Sequence, residues 1–321
     1  MQNDDDLPFV SVIVPTYNEE KNIARCLTSI KNQDYPQDKV EVIVVDGMSE
    51  DNTVTIAKHH KVRIIENKKR IVGNAMKLGV EEAKGEIIGM IVADLELPQK
   101  DWLRRMLSPF SDPTVCGTLT FFGVCENHPM INRCYHLMGG DPTIISAHAS
   151  KNNDSLVMTI DNYYPTGAPL LRKQLVLEAG NFKSFLPRSE DVDMSYRLMK
   201  MGYKLVFVPD TFVYHLYVDC FSSYLRKTYK RMLTFVKYQD LCEFKYVPKN
   251  PNNKIKFLKS IMSFVAIIGL LSPVVKGIRK DRDFSWLWYP LIVLSTVAFQ
   301  GIIIASNVKG RKLLGEFISN T

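Results

Sequence analysis

An α/β fold with a mostly parallel central sheet is what this 321-residue sequence predicts. Three observations carry that expectation. Short apolar runs and helical periodicities alternate four times within the first hundred residues, a pattern that demands parallel pairing through right-handed crossovers. One of those runs, in Glu86–Pro98 (EIIGMIVADLELP), is apolar almost without a break over Ile87, Ile88, Met90, Ile91 and Val92, as in a strand buried on both faces. The runs end in turn-forming and acidic residues, and the carboxyl ends of parallel strands are where open α/β sheets place their ligand sites.

The first strand is Phe9–Val14, running into Pro15-Thr16-Tyr17-Asn18-Glu19-Glu20. Asn18 is expected to cap a helix that carries Ile23, Cys26, Leu27 and Ile30 at helical spacing. Val40–Val45 is the second strand, turning through Asp46-Gly47-Met48 into the cap-rich Ser49–Thr53. Val62–Ile65 is the third. Lys68-Lys69-Arg70 then precedes a helix over Val72–Ala83, which Gly85 terminates before the central strand. In extended chain Asp94 and Glu96 project to the same side. Two hard oxygen donors there suit Mg²⁺ or Mn²⁺ shared with a substrate phosphate.

Farther on, Val115–Phe122 and Leu156–Ile160 read as strands flanking a polar segment with Gly139-Gly140-Asp141-Pro142. His128, His136 and His148 in this region are expected to be surface or packing residues. Ser189 is expected to cap a helix in LPRSEDVDMSYRLMKM whose first turn carries Glu190, Asp191 and Asp193. Tyr203–Pro209 is a strand, and Thr211–Leu216 brings His215. No Gly-x-Gly-x-x-Gly loop is present to hold a pyrophosphate.

PTYNEEKNI, VIVVDGMSEDNT, the Arg70/Asn74 helix with AKGEII, and ADLELP before Trp102-Leu103 together resemble family-2 glycosyltransferases of the GT-A (Rossmann-like) fold, over roughly residues 8–220. The resemblance implies a nucleotide-diphosphate sugar donor, most simply a UDP-sugar. It places Pro15, Tyr17, Glu19 and Asp46 around base and ribose, and Arg70 and Asn74 near base or diphosphate. Val92 stands where the family's first metal-motif Asp is usual, and Asp94-x-Glu96 resembles the later half of the Asp-x-Asp-x-Gln pattern of dolichol-phosphate sugar synthases. Metal would then be held by Asp94, Glu96 and the donor diphosphate, with His215 in the coordination place that Val92 leaves open or packed in the core. Thr166-Gly167-Ala168-Pro169 resembles the acceptor-side strand, with Gly167 allowing close approach of sugar or acceptor. Glu190-Asp191 is the acidic pair, and Asp191 the base for an inverting attack by an acceptor hydroxyl. Asp193 reads as an ordinary acid of a helix start.

The net charge is +7, and the excess lies mostly after residue 220, pointing to a membrane surface rather than nucleic acid. The six cysteines lack metal-finger spacing and read as reduced thiols; the acidic N-terminus is no secretory signal. The expected organisation is a catalytic domain over 1–219, an amphipathic juxtamembrane segment over 220–253 with an interfacial helix at Phe221–Tyr238, and a two-helix transmembrane anchor over 254–321. Phe257–Val275 and Phe284–Ser306 are the apolar stretches of that hairpin. Flanking Lys249, Lys254, Lys256, Lys259, Lys309, Arg311 and Lys312 outnumber Lys276, Arg279, Lys280 and Arg282 of the loop, which puts the catalytic domain on the cytoplasmic side. A lipid-linked polyprenol or dolichol saccharide is the implied acceptor. The alternatives are a polyprenyl- or dolichyl-phosphate monosaccharide synthase and a membrane scaffold that kept the fold without the chemistry.

Overall fold

The computed structural model describes residues 4, 7–138, 156–159, 169–238, 241 and 267–306. Gly167, His148, Gly139–Pro142 and most of the apolar stretch 257–275 lie outside the described residues. In chain order the elements are β1 (Val10–Thr16), α1 (Ile23–Lys31), β2 (Val40–Asp46), α2 (Thr53–His59), β3 (Arg63–Glu66), α3 (Val72–Glu82), β4 (Ile87–Met90) and β5 (Leu95–Glu96). They continue with α4 (Trp102–Leu107), β6 (Val115–Gly123), α5 (Met130–Leu137), β7 (Leu156–Met158), β8 (Leu170–Arg172), α6 (Lys173–Glu178), α7 (Glu190–Lys200) and β9 (Lys204–His215). Three helices follow: α8 (Phe221–Tyr238), α9 (Ile267–Asp281) and α10 (Tyr289–Ser306). The chain divides into two compact units, Met1–Gly123 with Lys151–His215, and Val124–Ser150 with Leu216–Thr321. The segment after β6 therefore groups with the C-terminal helices.

The first unit is built on a nine-stranded sheet in the order β3-β2-β1-β4-β8-β6-β9-β5, with β7 also on β9. Period-two alternation in β1 sends its residues to two cores. Val10, Val12 and Val14 meet Ile23, Cys26, Leu27 and Ile30 of α1 and Trp102 of α4. On the opposite face, Ile13 meets Ala75, Met76 and Val80 of α3 and Met194 and Leu198 of α7.

The sheet is mixed and curled where a mostly parallel one was expected. β1 through β4 are parallel, but β8 runs antiparallel to both β4 and β6, and β5 and β7 run antiparallel to β9. The central stretch Glu86–Pro98 is not one strand either. β4 stops at Met90, a turn closed by the Leu95 N–H on the Val92 carbonyl (3.0 Å) follows, and Leu95–Glu96 pairs with His215 and Tyr214 at the far edge. β9 accommodates this by bending: Asp210 is left-handed (φ 57°), and the β6–β9 register shifts between Leu119 and Phe121.

The second unit has its own core of Ile131, Cys134 and Tyr135 from α5, Tyr224 from α8, Val274 from α9, and Ile292 and Val293 from α10. α8 packs part of its apolar side on α10. The Tyr224 hydroxyl sits 3.2 Å from the Ile292 carbonyl and 2.5 Å from Thr296 Oγ1, and Tyr229 packs on Phe299. Among the described residues no helix is long and apolar enough to cross a membrane. Phe284–Trp288 forms a 3₁₀ turn, leaving α10 with 18 residues.

Candidate active site

The loops after β1, β2 and β3 converge at the carboxyl edge of the sheet, and they are interlocked. Asn18 donates its backbone N–H to Ser49 Oγ (2.9 Å) and accepts from the Glu50 N–H (2.9 Å), so it bridges two loops rather than capping α1. The Glu19 N–H donates to Thr53 Oγ1 (2.7 Å), while its carbonyl receives the Asn22 and Ile23 N–H groups and starts α1. Asn18, Met48 and Arg70, one residue on each loop, are all left-handed (φ 55°, 63° and 54°). Side-chain-bearing residues in that region store backbone strain, which concentrates at ligand sites.

Within this frame Asp46 is buried at the end of β2, its carboxylate receiving the Ser49 N–H (2.9 Å) and hydroxyl (2.5 Å). Each oxygen keeps a further lone pair for a ligand N–H or hydroxyl. Thr16 faces it in register on β1, and Thr16 Oγ1 is buried without a hydrogen-bond partner. A buried hydroxyl left unmatched at a sheet's ligand edge is a group shaped for an absent partner. Thr16 was not singled out in the sequence, although its place inside PTYNEE beside Tyr17 was the available signal. Pro15 lies one step earlier, opposite Val45 and past the last β1–β4 pair, where its missing N–H costs no ladder bond.

Tyr17 is exposed and carries the Arg70 guanidinium over its ring at 5.3 Å. Arg70 also reaches Glu50 Oε1 (3.3 Å) and the Met48 carbonyl (3.4 Å), neither of them anticipated. The result is a cationic, aromatic rim above Asp46, suited to a base and a phosphate. Asn74 serves the frame instead. It is buried and donates to Asn67 Oδ1 (2.7 Å), and Asn67 donates to the Asp46 carbonyl (2.7 Å).

Asp94 and Glu96 do not act as a pair. Asp94 lies in the turn after β4 and meets His215 Nε2 at 3.2 Å through the β5–β9 pairing, whereas Glu96 is turned to Arg25 Nε at 3.1 Å. Among the described residues no three His, Cys, Asp or Glu groups come together as a metal cage. Asp94 and His215 still fit a divalent cation whose remaining positions come from substrate phosphates, the usual arrangement for Mg²⁺ and Mn²⁺. The Phe122 ring packs on His215 with centroids 5.4 Å apart.

The acidic pair Glu190-Asp191 opens α7. Ser189 before it is left-handed (φ 60°) and makes no side-chain cap, contrary to the capping expectation; the Asp191 carboxylate instead receives the Val192 N–H (2.8 Å). Burial raises the pKa of both carboxyls, with Asp191's charge adding to the rise at Glu190 and Arg188 opposing it. Asp193 is a different kind of acid. It is 1% exposed and gripped by Arg197 (2.9 Å) and Lys183 (3.1 Å), a structural ion pair. The leader of α7 is fixed to α3 by the Gly73 N–H on the Leu186 carbonyl (3.0 Å). A Cβ at Gly73 would stand 2.3 Å from the Lys183 oxygen, so only glycine permits the approach.

Residues 11–179 match the family described as Glycosyl transferase family 2, more than half of the chain. The chain belongs to that family. Residues 164–304 match the related Glycosyl transferase family group 2. Glycosyltransferase AglE of Haloferax volcanii is 32% identical over 217 residues, 65% of this chain and 67% of AglE. A Methanococcus voltae dolichyl N-acetyl-α-D-glucosaminyl phosphate 3-β-D-2,3-diacetamido-2,3-dideoxy-β-D-glucuronosyltransferase is 33% identical over 109 residues, 32% of this chain and only 34% of that enzyme. The fold is shared with mannosyltransferase PcManGT of Pyrobaculum calidifontis in complex with GDP-Man and Mn²⁺ (TM-score 0.55, 21% identity, covering 99% of this chain and 81% of that one). It is shared too with Staphylococcus aureus TarS 1-349 in complex with UDP-GlcNAc (TM-score 0.55, 17% identity, covering 97% and 88%). This family-2 chain is a glycosyltransferase of GT-A-like fold that uses a nucleotide sugar, so the scaffold alternative falls away.

Proposed function

We propose that this enzyme inverts the anomeric centre of a UDP-sugar while transferring the sugar to a hydroxyl of a polyprenol- or dolichol-linked saccharide. The observation that carries the reading is the Glu190-Asp191 pair: two neighbouring carboxyls whose burial raises their proton affinity, at the start of a helix anchored to α3. A base with that property can hold the acceptor proton at working pH. Asp191 takes the proton of the acceptor hydroxyl as its oxygen bonds to the anomeric carbon, and the bond to the nucleotide diphosphate breaks on the opposite face. Thr16 and Asp46 hold the base and ribose, and Tyr17 with Arg70 covers the base and diphosphate. Mn²⁺ or Mg²⁺ on Asp94 and His215 would supply charge neutralisation for the diphosphate.

The M. voltae relative, a transferase named for a sugar carried on dolichyl phosphate, supports a lipid-linked hydroxyl acceptor. Membrane lipids are then partners, and the catalytic part works at the cytoplasmic face with the C-terminal helices as its attachment. Transfer straight to polyprenyl phosphate is the second reading. It draws on the Asp94-x-Glu96 pattern, and it needs no protein base, because the phosphate is already anionic. Asp191→Asn separates the two. Loss of transfer by about a thousandfold with nucleotide-sugar binding intact is expected for a hydroxyl acceptor. Undiminished transfer sinks that reading.

A further inference from the structure

The second unit carries an apolar stripe on its outside. Phe284, Leu287, Leu291 and Leu294 recur at three- and four-residue spacing along the 3₁₀ turn and α10, Ile302 follows two turns on, and each is between 49% and 68% exposed. The opposite side of α10, with Tyr289, Ile292, Val293 and Thr296, is buried among α5, α8 and α9. A helix apolar on both sides has a second apolar environment to meet. Leu271 and Val275 on α9, 56% and 50% exposed, add to the same kind of surface. On the last two turns of α9, Lys276, Arg279 and Lys280 are exposed, as is Arg282 just after it, which together make a cationic tip close in sequence to Phe284 and Leu287.

We propose that this stripe is the face on which the protein meets an anionic lipid bilayer, with the tip cations at headgroup level and Phe284 and Leu287 just below them. Charge decides the occupant. A second copy paired on the same patch would oppose four cations to four cations, whereas acidic headgroups complement them. The tip is also clamped in place. Asp283 receives Arg133 of α5 through two nitrogens (3.0 and 2.7 Å), and α5 in turn accepts the Val218 N–H on Asn132 Oδ1 (3.0 Å). The docking face does not rest on the function proposed above.

Two native reporters flank the stripe. Trp286 and Trp288 lie at the tip, and the chain's other tryptophan, Trp102, is buried in the first unit's core. The full-length chain is mixed with vesicles of phosphatidylcholine, with or without phosphatidylglycerol, in which a fraction of the acyl chains is brominated. Fluorescence should be quenched on the anionic vesicles, and a Trp286→Phe/Trp288→Phe variant should show no quenching. Phe284→Ser with Leu287→Ser should weaken vesicle binding at least about tenfold, and Lys280→Glu about fivefold or more. UDP release from a hydrolysed donor, measured on the same variants without lipid, should be unchanged. Unquenched tryptophans overturn the proposal. So does a stripe variant that keeps full vesicle binding, or one that only converts a dimer to a monomer in light scattering. If the wild type releases no nucleotide from any donor, the functional reading fails while the vesicle result stands.

Discussion

Two halves of one sheet are held together in different ways. At the donor edge, contacts join loops about thirty residues apart, as in Asn18 with Ser49 and Glu50 at separations of 31 and 32. At the other half the chain closes on itself from far away: Gln99 receives the Phe212 N–H across 113 residues, and Asp94 meets His215 only because β5 pairs with β9. The first half is a local device that three consecutive crossovers build almost by themselves. The second depends on long-range returns, which carry a larger loop-closure cost and are the part free to vary.

The largest effect that can sharpen this comparison lies within α7, where two acids two positions apart have opposite duties. Asp191→Asn should remove about three orders of magnitude of transfer without lowering stability or donor affinity. Asp193→Ala should do the reverse. It strands the buried Arg197 and costs about 3 kcal/mol of stability, seen as a fall in denaturation midpoint, while the folded fraction keeps its turnover. Equal stability losses in the two variants would erase the distinction between them.

Why the sequence was legible in one half and not the other follows from the same contrast. β1 to β3 and α1 to α3 appear close to their expected limits because each satisfies its own periodicity, and Asp46, Tyr17 and Arg70 come together at strand ends. Glu86–Pro98 misled because an apolar run reports burial, not direction. Ile91 to Asp94 stay buried or nearly so while the backbone turns out of β4 and starts β5 on another edge. Thus the same-side argument for Asp94 and Glu96 assumed an extended chain that the turn removes, and Arg25 claims Glu96. The α8 stripe was read correctly as amphipathic, but periodicity cannot say that the partner is α10. Ser49, Asn67 and Glu50 were invisible because their roles are hydrogen bonds between loops.

Gly73 joins the two halves, since its N–H ties the start of α3 to the leader of α7. Gly73→Ala pushes a methyl against the Lys183 and Leu186 carbonyl oxygens, backbone atoms that cannot rotate away. A loss of about 1 to 3 kcal/mol is expected. If the anchor also positions the acidic pair, transfer should fall more than donor hydrolysis does. A variant with unaltered melting temperature would show that the leader can shift without cost.

The smallest effect is a pH dependence that belongs to one side only. A carboxyl whose folded pKa is raised binds its proton more tightly in the native state than in the unfolded chain. Native stability therefore falls as pH climbs from the ordinary carboxylate range through the raised value, and the penalty is complete above it. Asp191→Asn removes one such group, so the variant should melt above the wild type at alkaline pH and match it in acid, trading the active-site strain for stability. Transfer by the wild type should show the complementary trend, rising with pH as the pair gives up its proton. Parallel melting curves for the two proteins across that range would mean that Asp191 is solvated like a surface acid, and the argument that burial prepares it as a base would go with them.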